Sequence, residues 1–183
     1  MTKDESKRIA LIEKLADHML AHGLIGSSLR PLAKAAGTSD RMLLYYFRDK
    51  EELLAATSQL IAARMTMMLA ARQAPDLLDE ETLIAHLIGV LGDDAYWPFM
   101  RLWLEMASRA AGGDNFFKQI GRALGQGFLL WAASQLAEQD ETENARQAAR
   151  VMRATEGWMF LRAIGLDDVN ALALRPTTNA TKG

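Results

Sequence analysis

The chain contains no cysteine, and this absence excludes several kinds of chemistry at once. Without thiols there is no disulfide framework, no cysteine-ligated zinc and no thiolate nucleophile, and nothing points to an oxidising compartment. Proline is also scarce, with four residues, and only 7% of the residues are aromatic. The helix formers Ala, Leu, Met, Arg and Glu are frequent instead, so we expect an all-α protein.

Long hydrophobic runs are missing as well. No apolar stretch approaches the roughly 18 residues needed to span a bilayer. The opening segment MTKDESKRIALIEKL carries acidic residues and becomes amphipathic at once, whereas a secretion signal has a basic start and a continuous apolar run. We therefore expect a cytoplasmic protein with no membrane partner.

Charge of one sign is not in excess overall, because the formal net charge is −2, but it is unevenly distributed. Residues 1–50 contain nine Lys and Arg against six Asp and Glu, whereas residues 51–183 contain twelve against seventeen. A basic amino-terminal third suits contact with phosphate, and the acidic remainder suits a different task. The length of 183 residues allows one large domain or two small ones.

Within the basic third, a glycine turn separates two short predicted helices. Leu29–Ala36 forms the first, Gly37 the turn, and Asp40–Phe47 the second. Helix, glycine turn and helix make up the helix-turn-helix pattern, in which the second helix lies in the major groove of DNA. Leu43 and Phe47 are four positions apart and are the natural core pair. The residues left outward are Asp40, Arg41, Met42, Tyr45 and Tyr46.

The rest of the chain is rich in large, soft side chains at helical spacing. Most of them are expected to be ordinary core residues, but all four tryptophans lie here. Met and Trp together can line an adaptable cavity for an apolar or aromatic small molecule. Arg101, Glu105 and Glu156 are candidates to orient such a ligand, with an ion pair between Arg101 and Glu105 as the alternative. The predicted pocket residues are His86, Phe99, Trp103, Met106, Phe128, Trp131 and Trp158.

Small residues mark the last two long helices. They leave flat strips on which another helix can approach closely. The predicted interface residues are Gly121, Gly125, Ala132, Ala145, Ala149 and Met152.

No pattern typical of catalysis is found in the sequence. There is no glycine-rich phosphate loop, no Gly-x-Ser-x-Gly elbow and no convincing pair of carboxylates. His18 and His22 have the spacing of a metal pair, but no HExxH context accompanies them. We therefore predict a protein that is not an enzyme and that has no cofactor and no metal.

Residues 9–54 resemble the TetR family of transcriptional regulators in order and spacing. The resemblance rests on SSLRPLAKAAG followed by TSDRMLLYYFRDKEELL. It implies a three-helix DNA-binding domain, a larger helical ligand-binding and dimerisation domain, and repression relieved by a small molecule. We assign these domains to residues 1–50 and 51–174. The tail at residues 175–183 has nothing to bury and is expected to be disordered.

The resemblance also assigns positions that contact DNA. Positions that approach base edges in the family are occupied here by Asp40, Arg41, Met42 and Tyr45. Positions that contact phosphates are occupied by Ser28, Ser39, Tyr46 and Lys50. Leu44 departs from the pattern, because the family usually has a tyrosine there that touches the DNA backbone. That contact should be missing, and either Tyr45 or Arg48 is expected to compensate.

The chemistry of these residues agrees with the assignment. Arg41 can donate two parallel hydrogen bonds to guanine O6 and N7. Lys50 lies in the first turn of a helix, where a cation fits the helix dipole poorly and pairs better with an external phosphate. Ser28 and Ser39 are expected to cap helices, which is compatible with phosphate contact.

The sequence thus predicts a homodimeric, all-helical DNA-binding regulator, in particular a ligand-responsive repressor. Two copies of the recognition helix imply a near-palindromic operator. The rival interpretations are a helical protein-interaction module without DNA binding and a small helical enzyme. Neither the effector nor the operator is specified by the sequence, and repression is not separated from activation.

Overall fold

The structure, a computed structural model, describes residues 2–24 and 28–173, and the predicted disordered tail lies outside this part. Within these two ranges the chain forms nine α-helices and no β-strand beyond one isolated bridge, as expected for an all-α protein. A turn of 3₁₀ helix at Asp94–Tyr96 precedes the sixth helix. The helices are α1 (Lys3–His22), α2 (Leu29–Ala36), α3 (Asp40–Tyr46), α4 (Lys50–Ala70), α5 (Glu80–Leu91), α6 (Trp97–Ala111), α7 (Asn115–Gln135), α8 (Glu141–Ala163) and α9 (Asp167–Ala173).

Side-chain caps explain where several helices begin. Thr2 and Glu5 form a reciprocal capping box at the start of α1. The Asp49 carboxylate caps α4 by accepting a hydrogen bond from the Glu52 N–H at 2.8 Å. Gly37 ends α2 in the left-handed region, with φ at +69°. These signals are local in sequence, and the predicted bounds of α2 and α3 therefore agree with the structure to within one residue.

The chain divides into two compact units. The first comprises residues 1–75 and 90–128, and the second comprises residues 76–89 and 129–183. The first unit thus contains α1–α4, α6 and most of α7. The functional boundary that we placed after residue 50 stays a prediction, because a packing division does not show which part binds a ligand.

One hydrophobic core holds the first unit together. Leu43 and Phe47 are fully buried in it, which confirms their prediction as the core pair of α3. The core extends well beyond the helix-turn-helix pair, because α1, α4, α6 and α7 all contribute. Its large members are Leu11, Leu15, Met19, Leu24, Leu32, Leu43, Phe47, Leu53, Leu54, Ile61, Leu102, Met106 and Phe117.

α4 is more apolar than expected. By length and composition alone it could cross a membrane, so the expectation that no stretch approaches that length is wrong for Lys50–Ala70. Core helices pass the same test, and Leu53, Leu54 and Ile61 of α4 are buried in the core of the first unit. Because 33% of this apolar window is buried, packing accounts for part of the apolar composition of α4.

Polar contacts hold the helices of the second unit together. The Leu78 N–H donates to the Gln135 carbonyl, and its own carbonyl accepts from the Ala137 N–H, both at 2.9 Å. Arg150 bridges Glu80 and Glu143 at 2.8 Å, and these carboxylates raise the pKa of its guanidinium. These contacts join α8 to the start of α5 and the end of α7 to the segment before α5.

Candidate nucleic-acid interface

α3 is held by its two ends and by one buried face. At its start, the Ser39 hydroxyl accepts a hydrogen bond from the Met42 N–H at 3.3 Å, so the predicted cap is present. At its end, the Phe47 N–H donates to the Leu43 carbonyl at 2.9 Å, and Phe47 itself has extended backbone angles. Since both Leu43 and Phe47 point into the core, the opposite side of α3 is necessarily turned outward.

The outward side of α3 brings three residues onto one face. Arg41, Leu44 and Tyr45 have the i, i+3, i+4 relation of helical neighbours. Leu44 is 46% exposed and Tyr45 is 66% exposed, while Met42 flanks them at 36%. Leu44 therefore occupies the same face as the predicted base-reading residues. We had treated it only as a missing tyrosine, although its helical spacing from Arg41 could have placed it here.

The cations on α2, on α3 and in the turn into α4 differ in whether they already have a partner. Among residues 2–24 and 28–173, Arg41, Lys50 and Arg30 form no ion pair, and all three are exposed. Arg48 instead donates from Nε to Asp49 at 2.8 Å, which raises the pKa of its guanidinium. Arg30, in the first turn of α2, was not predicted as a contact residue.

The remaining predicted positions have distinct environments. Ser28 is exposed and precedes α2, but its side chain makes no cap hydrogen bond, contrary to the prediction that it caps the helix. Asp40 is exposed in the first turn of α3. Tyr46 is half-buried, with its ring edge against the Tyr45 ring at 4.9 Å between centroids.

A network behind α3 fixes the turn into α4. Glu52 accepts a hydrogen bond from the Arg48 N–H at 2.8 Å and pairs with Arg8 at 2.9 Å. The hydrogen bond from the Arg48 N–H, followed by the side-chain hydrogen bond from Arg8, lowers the pKa of Glu52. Arg8 also donates to the Tyr46 carbonyl at 3.4 Å. Sequence reasoning missed Arg8, because no spacing rule relates it to a residue 38 positions away.

Arg101 and Glu105, two candidates to orient a ligand, bind the backbone at the end of α1 and just beyond it. Arg101 donates to the Leu20 carbonyl at 2.9 Å, and Glu105 accepts from the Leu24 N–H. The predicted ion pair between them is present, with 3.7 Å between Arg101 Nε and Glu105 Oε1.

The predicted pocket residues are divided between the two units. In the first unit, Met106 is a core residue, Phe99 and Trp103 pack against that core, and Phe128 is half-buried. The others are half-buried residues of the second unit: His86, Trp131 and Trp158. A pocket formed by these residues stays a prediction.

The six predicted interface residues do not lie on one exposed strip. Ala145 and Ala149 of α8 are exposed and Met152 is half-buried. Gly125 and Ala132 of α7 are buried within the chain itself. A Cβ atom at Gly121 would lie 3.9 Å from Trp103 of the same chain. Two large apolar residues that we had not singled out are far more exposed: Leu130 at 75% and Phe160 at 54%.

His18 and His22 lie side by side on α1, with 4.7 Å between ring centroids. Partial burial, and then the neighbouring His22, lower the pKa of His18. In the part of the chain that the structure describes, no third metal-ligating side chain joins them.

Comparison with known proteins identifies the same segment. Residues 12–57, from α1 into α4, match the family model described as "Bacterial regulatory proteins, tetR family". The chain is 26% identical to the HTH-type transcriptional regulator PksA of Bacillus subtilis over 146 residues, covering 79% of this chain and 69% of PksA. It is 27% identical to the HTH-type transcriptional repressor AcnR of Corynebacterium glutamicum over 107 residues, covering 58% of this chain but only 52% of AcnR.

A solved structure shares the fold over nearly the whole length. A transcriptional regulator from Rhodococcus sp. Rha1 superposes with a TM-score of 0.64, covering 92% of this chain and 87% of its own. The two sequences are 22% identical, so the likeness concerns the arrangement of helices.

Proposed function

We propose that the chain represses transcription as a ligand-responsive dimer. The premise is that it belongs to the TetR family of bacterial regulatory proteins and is therefore a DNA-binding transcriptional regulator. In this proposal α3 reads an operator in the major groove, and a small molecule in the second domain weakens that binding. Family membership assigns the chain to regulators rather than to enzymes. A regulator that binds the chromosome of its own cell acts in the cytoplasm.

One observation carries the proposal for DNA recognition: the exposed face formed by Arg41, Leu44 and Tyr45 on a helix that the core holds from behind. A packing helix of a protein-interaction module could also be exposed. However, the guanidinium of Arg41 has no carboxylate partner among the described residues, and Lys50 and Arg30 are unpaired as well. Unpaired, exposed cations on the successive helices α2, α3 and α4 favour a polyanion as the partner.

The face divides into readout and positioning groups. Arg41 suits guanine, whose O6 and N7 accept its two parallel hydrogen bonds, and such a pair discriminates by about 1–3 kcal/mol. Leu44, Met42 and Tyr45 suit the methyl group of thymine or the sugar edge, so Leu44 replaces a polar backbone contact with an apolar one. Asp40 can accept a hydrogen bond from a cytosine amino group.

Phosphate contacts come from the rim of this face. Lys50 and Arg30 can pair with phosphate oxygens, and the Ser28 hydroxyl, which does not cap α2, can donate to one. Ser39 and Tyr46 stay predicted contacts, although the Ser39 hydroxyl already accepts from the Met42 N–H. These groups fix the position of the protein on DNA without specifying sequence.

The dimer would form through exposed parts of α7 and α8. Leu130 and Phe160 are large exposed apolar side chains, and Ala145 and Ala149 leave room for a close helix. A two-fold arrangement of two copies presents two α3 helices to one side of the duplex. The operator is then near-palindromic, with its half-sites separated by whole helical turns.

Effector binding would act by linkage. The half-buried aromatic residues of the second domain favour an apolar or aromatic small molecule. If that molecule favours an arrangement of the two heads that mismatches the operator, each binding event weakens the other.

Selection from random duplex DNA with the full-length protein tests the proposal. We expect an inverted pair of half-sites with one preferred spacing. A single unpaired half-site would contradict the dimer, and recovery of no motif would contradict DNA recognition and favour the interaction module.

A further inference from the structure

The end of α1 is bound by two charged residues that lie one turn apart on α6. Arg101 Nη2 donates a hydrogen bond to the Leu20 carbonyl at 2.9 Å. One turn later, Glu105 Oε2 accepts a hydrogen bond from the Leu24 N–H. We call these two residues, with their bonds to α1, the α6 latch.

The backbone of α1 is shaped for this contact. Gly23 lies between the two bonded positions and has a φ of +72°, which L side chains rarely adopt. A Cβ atom at this position would also collide with the carboxylate of Glu105. A side chain at position 23 would therefore displace the Glu105 carboxylate from its place beside the Leu24 N–H. Gly23 also ends α1, where its N–H donates to the Met19 carbonyl at 2.8 Å.

The charges of the latch match the atoms that they bind. The carbonyl groups at the carboxy-terminal end of a helix carry partial negative charge and favour a cation, which Arg101 supplies. Just beyond the end of α1, the N–H of Leu24 donates to the carboxylate of Glu105. Such charge-assisted hydrogen bonds are stronger than hydrogen bonds between neutral groups. Leu24 is itself buried in the core, so the bond fixes the chain where it leaves α1 towards α2.

Resting on the proposed function, we propose that Arg101 and Glu105 are positioning residues that set the orientation of the DNA-binding helices relative to α6. Through that orientation they determine which half-site spacing the dimer accepts. α6 is followed directly by α7, which carries Leu130 of the proposed dimer face.

The latch has an alternative arrangement available. Arg101 Nε is buried and has no hydrogen-bond partner in the described part of the chain. Glu105 Oε1 lies 3.7 Å from it. A small rotation of Glu105 towards Arg101 would satisfy this N–H at the expense of the Leu24 N–H. This rotation would release the chain at Leu24, while the bond from Arg101 to the Leu20 carbonyl would remain.

Half-site spacing is a sensitive measure of head orientation. One base pair more or less rotates the second half-site by about 35° around the duplex axis. Two rigidly oriented heads discriminate against that change, whereas loosened heads tolerate it. Loss of the latch should therefore flatten the spacing preference and leave the half-site sequence unchanged.

The experiment measures affinities for three duplexes: the selected operator, and the same half-sites with the spacer lengthened or shortened by one base pair. Glu105→Ala is compared with the wild type and with Glu80→Ala, which removes a carboxylate of the same type from its pair with Arg150 in the second unit. We expect the wild type and Glu80→Ala to prefer the selected spacing by about tenfold. Glu105→Ala should lose most of that preference. Partial unfolding of a variant lowers its affinities for all three duplexes alike, so it does not change the ratio between them.

Two further variants separate the latch from general packing. Glu105→Gln keeps an oxygen that accepts from Leu24 and should retain most of the preference, whereas Arg101→Met should lose part of it. If Glu105→Ala does not fold, the proposal is tested by Arg101→Met, through the ratio of its affinities for the selected and the altered spacers. A ratio equal to that of the wild type would overturn the role of the latch but not the proposed function. If the wild type selects no paired half-sites, both the proposed function and the role of the latch are overturned.

Discussion

Arg8 and Glu52 form an ion pair, with 2.9 Å between Nη2 and Oε1, that joins the beginning of α1 to the beginning of α4. The same guanidinium donates to the Tyr46 carbonyl and lies 4.8 Å from the centroid of the Phe47 ring. The carboxy-terminal end of α3 is therefore fixed by a residue outside the helix-turn-helix pair. The orientation of the exposed face of α3 consequently depends on α1.

Removal of the Arg8 guanidinium should loosen α3. We expect Arg8→Met to lower the free energy of unfolding by about 1 kcal/mol, because the ion pair is partly exposed and the contact with Phe47 adds a modest term. Affinity for the operator, corrected for the folded fraction, should fall as well. Denaturant unfolding and fluorescence anisotropy measure the two effects.

Arg64→Met is the matched control for Arg8. Arg64 also joins α4 to α1, through Glu13 and Asp17, but it does not contact α3 in the part of the chain that the structure describes. We expect this variant to lose stability without losing DNA affinity per folded molecule. Equal losses of affinity in both variants would show that Arg8 does not orient α3.

Arg41 and Lys50 should differ in the kind of binding that they support. Arg41→Ala removes the two hydrogen bonds to a guanine and should relax the preference at one base pair in each half-site, by about 1–3 kcal/mol. Lys50→Ala should weaken binding to all sequences alike and reduce the salt dependence, because one fewer counterion is released per subunit. Affinities for the selected operator and its point variants, at several salt concentrations, distinguish the two. The assignment of readout and positioning is wrong if both variants change specificity equally.

An acidic substitution on the proposed dimer face should separate the subunits. Phe160→Glu places a charge where two copies of α8 would meet, so we expect a monomer in sedimentation equilibrium. Met67→Glu, at a position of α4 that is exposed to 64% against 54% for Phe160, should leave the dimer intact. For Phe160→Glu, affinity for an operator with two half-sites should fall, while affinity for a single half-site should be retained. A dimeric Phe160→Glu protein would place the interface elsewhere.

The turn between α3 and α4 should lose stability in acid. A hydrogen bond from the Arg48 N–H, and then Arg8, hold the pKa of Glu52 below its ordinary value of 4.5. Stabilisation by a carboxylate with a lowered pKa is complete above the ordinary value and is lost as the pH falls through the lowered one. Glu52→Gln should therefore melt at a lower temperature than the wild type at neutral pH, and the difference should narrow below about pH 4.5. A difference that stays constant with pH would contradict this role of Glu52.

Local signals allowed most of the helices to be predicted. Caps such as Asp49 and turns such as Gly37 act within a few residues of the chain, and the spacing of Leu43 and Phe47 determines which face of α3 is buried. These features depend on short-range geometry, so the sequence was sufficient for them. The exposed face of α3 follows from the same geometry.

Contacts between distant residues could not be predicted in this way. Glu105 binds the N–H of Leu24 across 81 positions, and no periodicity relates the two. For a similar reason, the sequence does not show whether a small residue packs inside the chain or lies on its surface. Gly121 and Ala149 both allow close helix packing, but only the folded chain shows that Gly121 faces Trp103 while Ala149 is exposed.

Methylation interference at guanine N7 on the selected operator is the most direct test of major-groove reading by α3. Methylation of N7 blocks the acceptor to which Arg41 is expected to donate. We predict interference at one guanine in each half-site for the wild type, placed symmetrically, and loss of that interference for Arg41→Ala. Interference that is absent from the operator, or that persists unchanged in Arg41→Ala, would contradict recognition of guanine by this helix.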